Sequence, residues 1–186
     1  MIRNLEYYVK KYKMLDNDFC NQTIEQLQHV NWDKHSFYNH TTKEVLIRSG
    51  DQELQYSIDT ISNQKIIMTK LWNHIKAYIK EDLNFSWFDG WKNFSNVRWN
   101  KYSENLKMAE HCDHITTLFG GEGVPILSCL GVLNDDYEGG EFIMFENQKI
   151  EMKQGDLIIF PSNFLYPHRV EPVKKGTRYS YISWVW

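Results

Sequence analysis

The sequence predicts an α+β domain: a jelly-roll barrel over about residues 97–186, buttressed by helices from the N-terminal half, about residues 1–96. Three observations carry this expectation. Apolar residues recur at helical spacing in two stretches before residue 80. From Val97 onward the pattern changes to short apolar or alternating runs bounded by turn residues. No internal repeat, low-complexity tract or proline-rich linker divides the 186 residues, so the chain reads as one domain large enough for a real core. A helical half followed by many short strands is the order expected for helices packed against a β-barrel.

The elements follow in order. Thr23–Val30 carries Ile24, Leu27 and Val30 at helical spacing. Ser62 is placed to cap a longer helix in which Ile67, Leu71, Ile75, Tyr78 and Ile79 form a stripe, expected to pack on a sheet. Between these helices, Val45–Arg48 and Glu53–Ile58 flank Ser49-Gly50-Asp51 and read as a hairpin. Phe85, Trp87, Phe88, Trp91, Phe94 and Trp99 crowd one stretch without regular spacing, as in a loop folded onto the sheet. Further strands are expected at Ile126–Leu133, Glu141–Phe145, Lys149–Met152, Asp156–Phe160, His168–Val173 and Arg178–Trp186. Turn signals such as Asn134-Asp135-Asp136, Gly139-Gly140, Gly155 and Lys175-Gly176 separate them.

Composition narrows the function classes. Aromatic residues make up 15% of the chain, which suits a sheet-rich core and an aromatic-lined cleft. A net charge of −3 gives no global field to attract nucleic acid or an anionic membrane, so neither is expected as a partner. Cys20, Cys112 and Cys129 form an odd, sparse set that fits neither a disulfide framework nor a zinc knuckle. Charges up to Asp16 and Asp18 interrupt the N-terminal stretch, and no apolar run approaches the roughly 18 residues of a membrane span. We therefore expect no leader, no membrane segment and a cytoplasmic, reducing setting.

One spaced set of residues carries chemistry. His111 and Asp113 are two apart, so on an extended segment both project to one side while Cys112 projects away. His114, a rival ligand, sits on the wrong side of that segment. His168 follows Pro167, which favours extended geometry before it, and a closing barrel would bring it back to His111 and Asp113. Two imidazoles and a carboxylate can occupy one face of an octahedral Fe(II), leaving three positions for a co-substrate and oxygen. Arg178, ten residues past His168, shares a strand face with Ser180, Ile182 and Trp184. A cation on an inward face needs an anion, and the guanidinium fork suits the far carboxylate of a dicarboxylic acid. Ser180 could add a second hydrogen bond, and Trp184 would wall the deeper end. These parts together are what an Fe(II)/2-oxoglutarate-dependent oxygenase requires.

The motifs also resemble a family. Tyr102 nine residues before His111-Cys112-Asp113 resembles the Tyr…His-x-Asp segment of prolyl 4-hydroxylases. Leu133-Asn134-Asp135-Asp136-Tyr137-Glu138-Gly139-Gly140-Glu141-Phe142 is similar to their "Leu-Asn…Gly-Gly" hairpin. Gly155–Ser162 followed by Pro167–Val173 resembles their distal-histidine block, and Gly176–Trp184 their closing strand. The similarity covers roughly residues 97–186; the N-terminal half shares only the presence of helices before the barrel.

This resemblance implies a double-stranded β-helix, Fe(II), 2-oxoglutarate, O2 as co-substrate and ascorbate as reductant, with release of succinate and CO2. It implies His111, Asp113 and His168 as iron ligands, Arg178 on the 2-oxoglutarate C5 carboxylate, and Ser180 or Tyr102 as helpers. Three departures stand out. Arg178 replaces the Lys of collagen-type enzymes, Met108 stands where many relatives carry Tyr, and Val132 replaces a supporting Tyr. The cofactor set survives these changes, whereas the substrate stays open between a prolyl peptide or protein and a free amino acid or small metabolite. Two other readings share the barrel: a cupin-like metal protein that does not use 2-oxoglutarate, and a non-catalytic jelly roll binding carbohydrate or peptide. Substrate loops are expected at Ile115–Val124 and before Tyr102, with the run Phe119-Gly120-Gly121-Glu122-Gly123 opening and closing over the barrel mouth.

Overall fold

The computed structural model describes residues 4–35, 37–39, 44–46, 52–85, 93–114 and 123–186, with backbone only for 37–39 and 44–46. In the N-terminal half lie strand β1 (Lys10–Lys13), helix α1 (Asn17–Leu27), and strands β2 (Asp33–Lys34), β3 (Phe37–Asn39), β4 (Glu44–Leu46) and β5 (Gln55–Ser57). Helix α2 (Gln64–Ala77) follows, extended by a wider turn over Tyr78–Asp82. The C-terminal half contributes β6 (Arg98–Tyr102), β7 (Met108–His111), β8 (Leu127–Val132), β9 (Glu138–Gly139) and β10 (Phe142–Met144). It ends with β11 (Gln148–Lys149), β12 (Asp156–Pro161), β13 (His168–Val170), β14 (Val173–Lys175) and β15 (Arg178–Val185). None of the described helices is long and apolar enough to cross a membrane.

Hydrogen bonding sorts most strands into two sheets. The larger has the order β1-β12-β8-β15-β6-β5-β2 and the smaller β11-β10-β13-β7, with every pair antiparallel. Strand alternation on the larger sheet divides the core in two. Leu157 and Ile159 of β12 and Tyr179, Tyr181 and Val185 of β15 pack with Leu27, Ile67, Leu71 and Ile75 of the helices. Ile158, Phe160, Ile182 and Trp184 point the other way and pack with Phe142, Met144, Met108 and Val170 of the smaller sheet. Both faces of the larger sheet are thus buried, which is why β8, β12 and β15 read as apolar runs rather than as a two-sided alternation. The two sheets face each other across this second core, and no hydrogen-bonded ladder closes them into a barrel among the described residues.

The α2 stripe behaves as expected: Ile67, Leu71, Ile75, Tyr78 and Ile79 are all buried. Its start differs. Asn63, not Ser62, occupies the N-cap and makes no side-chain cap bond. Instead the Asn63 side chain donates to Thr23 Oγ1 at 2.9 Å and its backbone N–H donates to Gln26 Oε1 at 3.1 Å. The link to α1 takes the place of a cap.

The expected hairpin is also redrawn. Val45 and Leu46 lie in β4, which pairs with β3, while β5 pairs with β2 and β6 in the larger sheet. The two expected arms do not pair with each other among the described residues, and Ser49-Gly50-Asp51 lies outside them. Docking β5 beside β6 lets the adjacent Leu54 enter the core between the sheets, which a free-standing hairpin could not offer. The expected strand His168–Val173 is two strands, broken at Glu171-Pro172, where proline cannot donate to a ladder.

Gly131 shows how tightly the first core is filled. It lies directly opposite Tyr181 in the β8–β15 register, and a Cβ at Gly131 would come within 2.0 Å of the Tyr181 ring. The buried ring therefore rests on bare backbone. Gly131→Ala should cost about 1–3 kcal/mol of stability through overpacking. Urea denaturation reads this, and an unchanged midpoint would show that the ring can move aside.

Candidate metal centre

The smaller sheet brings the two histidines together. His111 ends β7 and His168 begins β13, and the two are directly opposed across the antiparallel pair. Their ring centroids are 4.3 Å apart. Asp113, just past the end of β7, completes the group: Asp113 Oδ1 lies 3.4 Å from His111 Nε2 and Oδ2 lies 3.8 Å from His168 Nε2. One ligand atom from each residue falls within 4.8 Å of the others. The expected triad is therefore assembled in space, with Asp113 and His168 buried and His111 partly so. Cys112 is half-buried and His114 exposed, and neither joins it.

The backbone sets the histidine tautomers. His111 Nδ1 lies 2.8 Å from the carbonyl of Ala109, and His168 Nδ1 lies 3.1 Å from the carbonyl of Tyr166. A carbonyl can only accept, so Nδ1 carries the proton in both neutral rings and the Nε2 lone pair is left facing the group. The same device orients histidine ligands in metal sites generally.

Electrostatics favour a carboxylate beside a neutral His168. Burial works against the Asp113 charge, but His168, His111 and the hydroxyl of Ser128 outweigh it and hold the carboxyl well below its ordinary value. Burial pushes the His168 pKa down to about 4, with Asp113 opposing. For His111 burial also favours the neutral ring, yet the hydrogen bond and charge of Asp113 prevail and raise its pKa. A divalent cation would replace the shared proton of this cluster with a stronger positive charge.

Ser128 was not foreseen from the sequence. Its Oγ donates to Asp113 Oδ2 at 2.6 Å and lies 2.8 Å from Ser162 Oγ, all in buried surroundings. Asp113 is thus tied to Ser128 through Oδ2 and faces His111 with Oδ1. The available signal was a hydroxyl inside the apolar run of β8, since a buried hydroxyl needs a partner.

Arg178 is only 1% exposed. Its guanidinium lies over the Tyr102 ring at 4.9 Å, and Nη1 donates to Ser180 Oγ at 2.9 Å. Among the described residues its Nε has no hydrogen-bond partner. Asn134, within the Leu-Asn motif, sets the start of this strand: its amide donates to the Thr177 carbonyl and its Oδ1 accepts from Tyr179 N–H, both at 2.7 Å. Gly140, at φ +63°, passes so close that a Cβ there would meet Arg178 Cδ at 3.2 Å. Arg178 borders a recess with Tyr137, Gly140, Phe142 and Ile150, and Phe142 also lines the cleft holding the triad. Tyr102 lines that cleft as well, and so does Trp184, which lies at the end away from Arg178. Of the expected substrate loop, residues 115–122 lie outside the described residues, Gly120 and Gly121 among them.

Facing β-sheets that enclose two Nε2-presenting histidines and a carboxylate define a class, the proteins that hold a divalent metal on one face and leave the other open. Residues 97–186 match the family model of the 2OG-Fe(II) oxygenase superfamily. A PKHD-type hydroxylase of Delftia acidovorans is 33% identical over 95 residues, covering 47% of this chain and 41% of the relative. The chain thus spans about two fifths of the length of such curated relatives. A viral collagen prolyl hydroxylase from Paramecium Bursaria Chlorella virus-1 superposes with a TM-score of 0.68 at 16% identity, covering 96% of this chain and 94% of that one. A Trichoplax adhaerens prolyl hydroxylase, in complex with a hypoxia inducible factor peptide fragment, gives a TM-score of 0.72 at 15% identity, covering 97% and 84%. The fold is shared with these hydroxylases across both halves of the chain.

The Ser128 contact yields a test. Ser128→Ala frees Asp113 Oδ2 and should weaken divalent-metal affinity about 10–100-fold, the usual effect of losing a group that orients a ligand. Ser128→Thr, which keeps the hydroxyl, should restore most of it. Calorimetric titration with Zn(II) measures both; equal affinity in all three proteins would mean that Asp113 needs no such support.

Proposed function

We propose that the chain is an Fe(II)- and 2-oxoglutarate-dependent dioxygenase of the prolyl hydroxylase type, which hydroxylates a C–H bond of a peptide or protein. The observation that carries this is the pairing of the His111–Asp113–His168 group with the buried Arg178, whose Nε has no partner among the described residues. A guanidinium removed from water and left partly unpaired is costly unless an anion completes it. Arg178 therefore fits the C5 carboxylate of 2-oxoglutarate as a planar fork, with Ser180 holding Nη1 in position. In this reading the two facing sheets are the halves of a double-stranded β-helix, and residues 1–96 and 97–186 form one domain.

The donor set fits iron: two imidazole nitrogens and one carboxylate oxygen suit non-haem Fe(II) with open positions. When bound, the iron supplies O2 activation coupled to the decarboxylation of 2-oxoglutarate to succinate and CO2, with ascorbate as the reductant that keeps it ferrous. The chain's own residues bind and orient. Ala109 and Tyr166 carbonyls fix the histidine rings, Ser128 fixes Asp113, and the Asp113 charge offsets part of the metal's. Leu130, Phe142, Phe160 and Trp184 wall the cleft with apolar surface that excludes water. No protein general base is needed in such a reaction, and the cleft offers none beyond the triad.

A peptide or protein substrate is supported by the likeness to prolyl hydroxylases, one of them in complex with a peptide. A cupin-like metal protein without 2-oxoglutarate would leave Arg178 without an anion.

Two tests separate these readings. The protein should convert 2-oxoglutarate to succinate only with Fe(II), and His111→Ala, Asp113→Ala and His168→Ala should each abolish that conversion while circular dichroism stays near that of the parent. Metal binding without succinate would point to the cupin-like alternative, and full activity in His168→Ala would remove it from the metal site. In the second test Arg178→Ala should weaken 2-oxoglutarate binding by about 2–5 kcal/mol, as for a buried charge that loses its partner. Arg178→Lys, which keeps charge without the fork, should fall between. Equal 2-oxoglutarate affinity in all three proteins would place the co-substrate elsewhere.

A further inference from the structure

The cleft that holds the triad is lined by another guanidinium, Arg98, to which the scheme above gives no task. Arg98, Asn100 and Tyr102 alternate on β6 and all line the cleft beside His111, Asp113 and Trp184. The register fixes their places: Tyr102 opposes Arg178 on β15, Asn100 opposes Ser180, and Arg98 opposes Ile182. The two arginines are therefore four residues apart along the sheet, about 13 Å at the usual rise per strand residue. Their heads also diverge. Arg178 lies over Tyr102, whereas Arg98 leans to the far end, 5.1 Å from the centre of the Trp184 ring and 5.7 Å from that of Tyr56.

Arg98 is held but not neutralised. Its Nε donates to Asn100 Oδ1 at 3.1 Å, and the two aromatic rings sandwich the guanidinium. No ion pair joins it to an acidic side chain among the described residues. The one acid near it, Asp113, is engaged by His111, His168 and Ser128. Arg98 is half-buried, and burial lowers its pKa from the ordinary value. A guanidinium pinned at Nε presents its remaining N–H groups as a ready fork for an anion. In the scheme above Arg178 already takes the far carboxylate of the co-substrate and the metal group its near end, which leaves Arg98 for a different anion.

We infer that Arg98 anchors a carboxylate of the substrate, and that the substrate presents a free carboxylate close to the carbon that is hydroxylated. Such a group occurs in a free amino acid or at the C-terminal residue of a peptide. This rests on the oxygenase reading and narrows it: an internal residue without an acidic side chain offers only amide carbonyls to Arg98. Trp184 serves as the platform under the guanidinium, so the carboxylate is read at the end of the cleft opposite the co-substrate.

The test compares acids with their own amides. N-acetyl amino acids, prolines included, and their primary amides are titrated into the Zn(II)- and 2-oxoglutarate-loaded protein, which binds without turning over. The same pairs, with free amino acids and short peptides ending in an acid or an amide, are then scored with Fe(II) for added oxygen by mass spectrometry. We expect at least one acid to bind about tenfold or more tightly than its amide. Arg98→Gln should erase that preference, and Arg98→Lys should retain part of it should the Gln variant fold poorly. Oxidation of the free amino acids alone, or of acid-ending peptides alone, tells which source carries the carboxylate. The inference is overturned if amides match acids, if no acid binds the parent protein, or if Arg98→Gln loses 2-oxoglutarate affinity in parallel. Succinate formation by the parent with Fe(II) and no added acid reports separately on the oxygenase reading: its absence would sink that reading, whatever the binding titrations show.

Discussion

The direct opposition of His111 and His168 across β7 and β13 is the constraint on which the site depends. Side chains on a strand alternate, so a slip of one residue in this register would turn one imidazole to the opposite face of the sheet. The register is held from both directions. Beyond a one-residue irregularity in the ladder, Val170 and Met108 pair and are buried in the core between the sheets, and Phe142 and Met144 of β10 flank β13 on its other edge. Aromatic rings pack the second histidine further, with Phe160 5.1 Å and Phe142 5.4 Å from His168. The same apolar contacts that bury surface between the sheets therefore fix the geometry of the ligands.

One strand connects the two halves of the molecule. The Tyr179, Tyr181 and Val185 face of β15 packs against the helical layer; on the other face Ile182 and Trp184 line the cleft and Arg178 borders the neighbouring recess. The stripe of α2 and the ring of Tyr181 on Gly131 thus press on the back of the strand that carries Arg178. The N-terminal half needs no chemistry of its own to matter: it supplies the apolar support that keeps this strand in place.

Much of this was legible because it obeys short periods. The His-x-Asp spacing, the alternation along residues 178–184 and the stripe from Ile67 to Ile79 are local patterns, and each recurs as drawn. What escaped depends on partners distant in the chain. Lys10–Lys13 is mostly lysine and gave no strand signal, yet it pairs with β12 at the edge of the larger sheet, where lysine is a common way to blunt an open edge. Pairing of β5 with β6, forty residues on, overrode the turn-like Ser49-Gly50-Asp51. Ser128 and Arg98 read as a small strand residue and an ordinary cation; only the fold brings them to Asp113 and Trp184.

The two kinds of support given to the ligands differ in how they age. Each histidine is steered by a carbonyl of the main chain two positions earlier, at residues 109 and 166, and every amino acid has one there. No single codon change can delete that acceptor. Asp113 instead leans on the hydroxyls of Ser128 and Ser162, which one substitution removes. Over a lineage, the imidazole half of the centre can tolerate wide drift in the residues around it. The carboxylate half is where mutation can retune the metal, and so where related chains have room to diverge in how firmly they hold it.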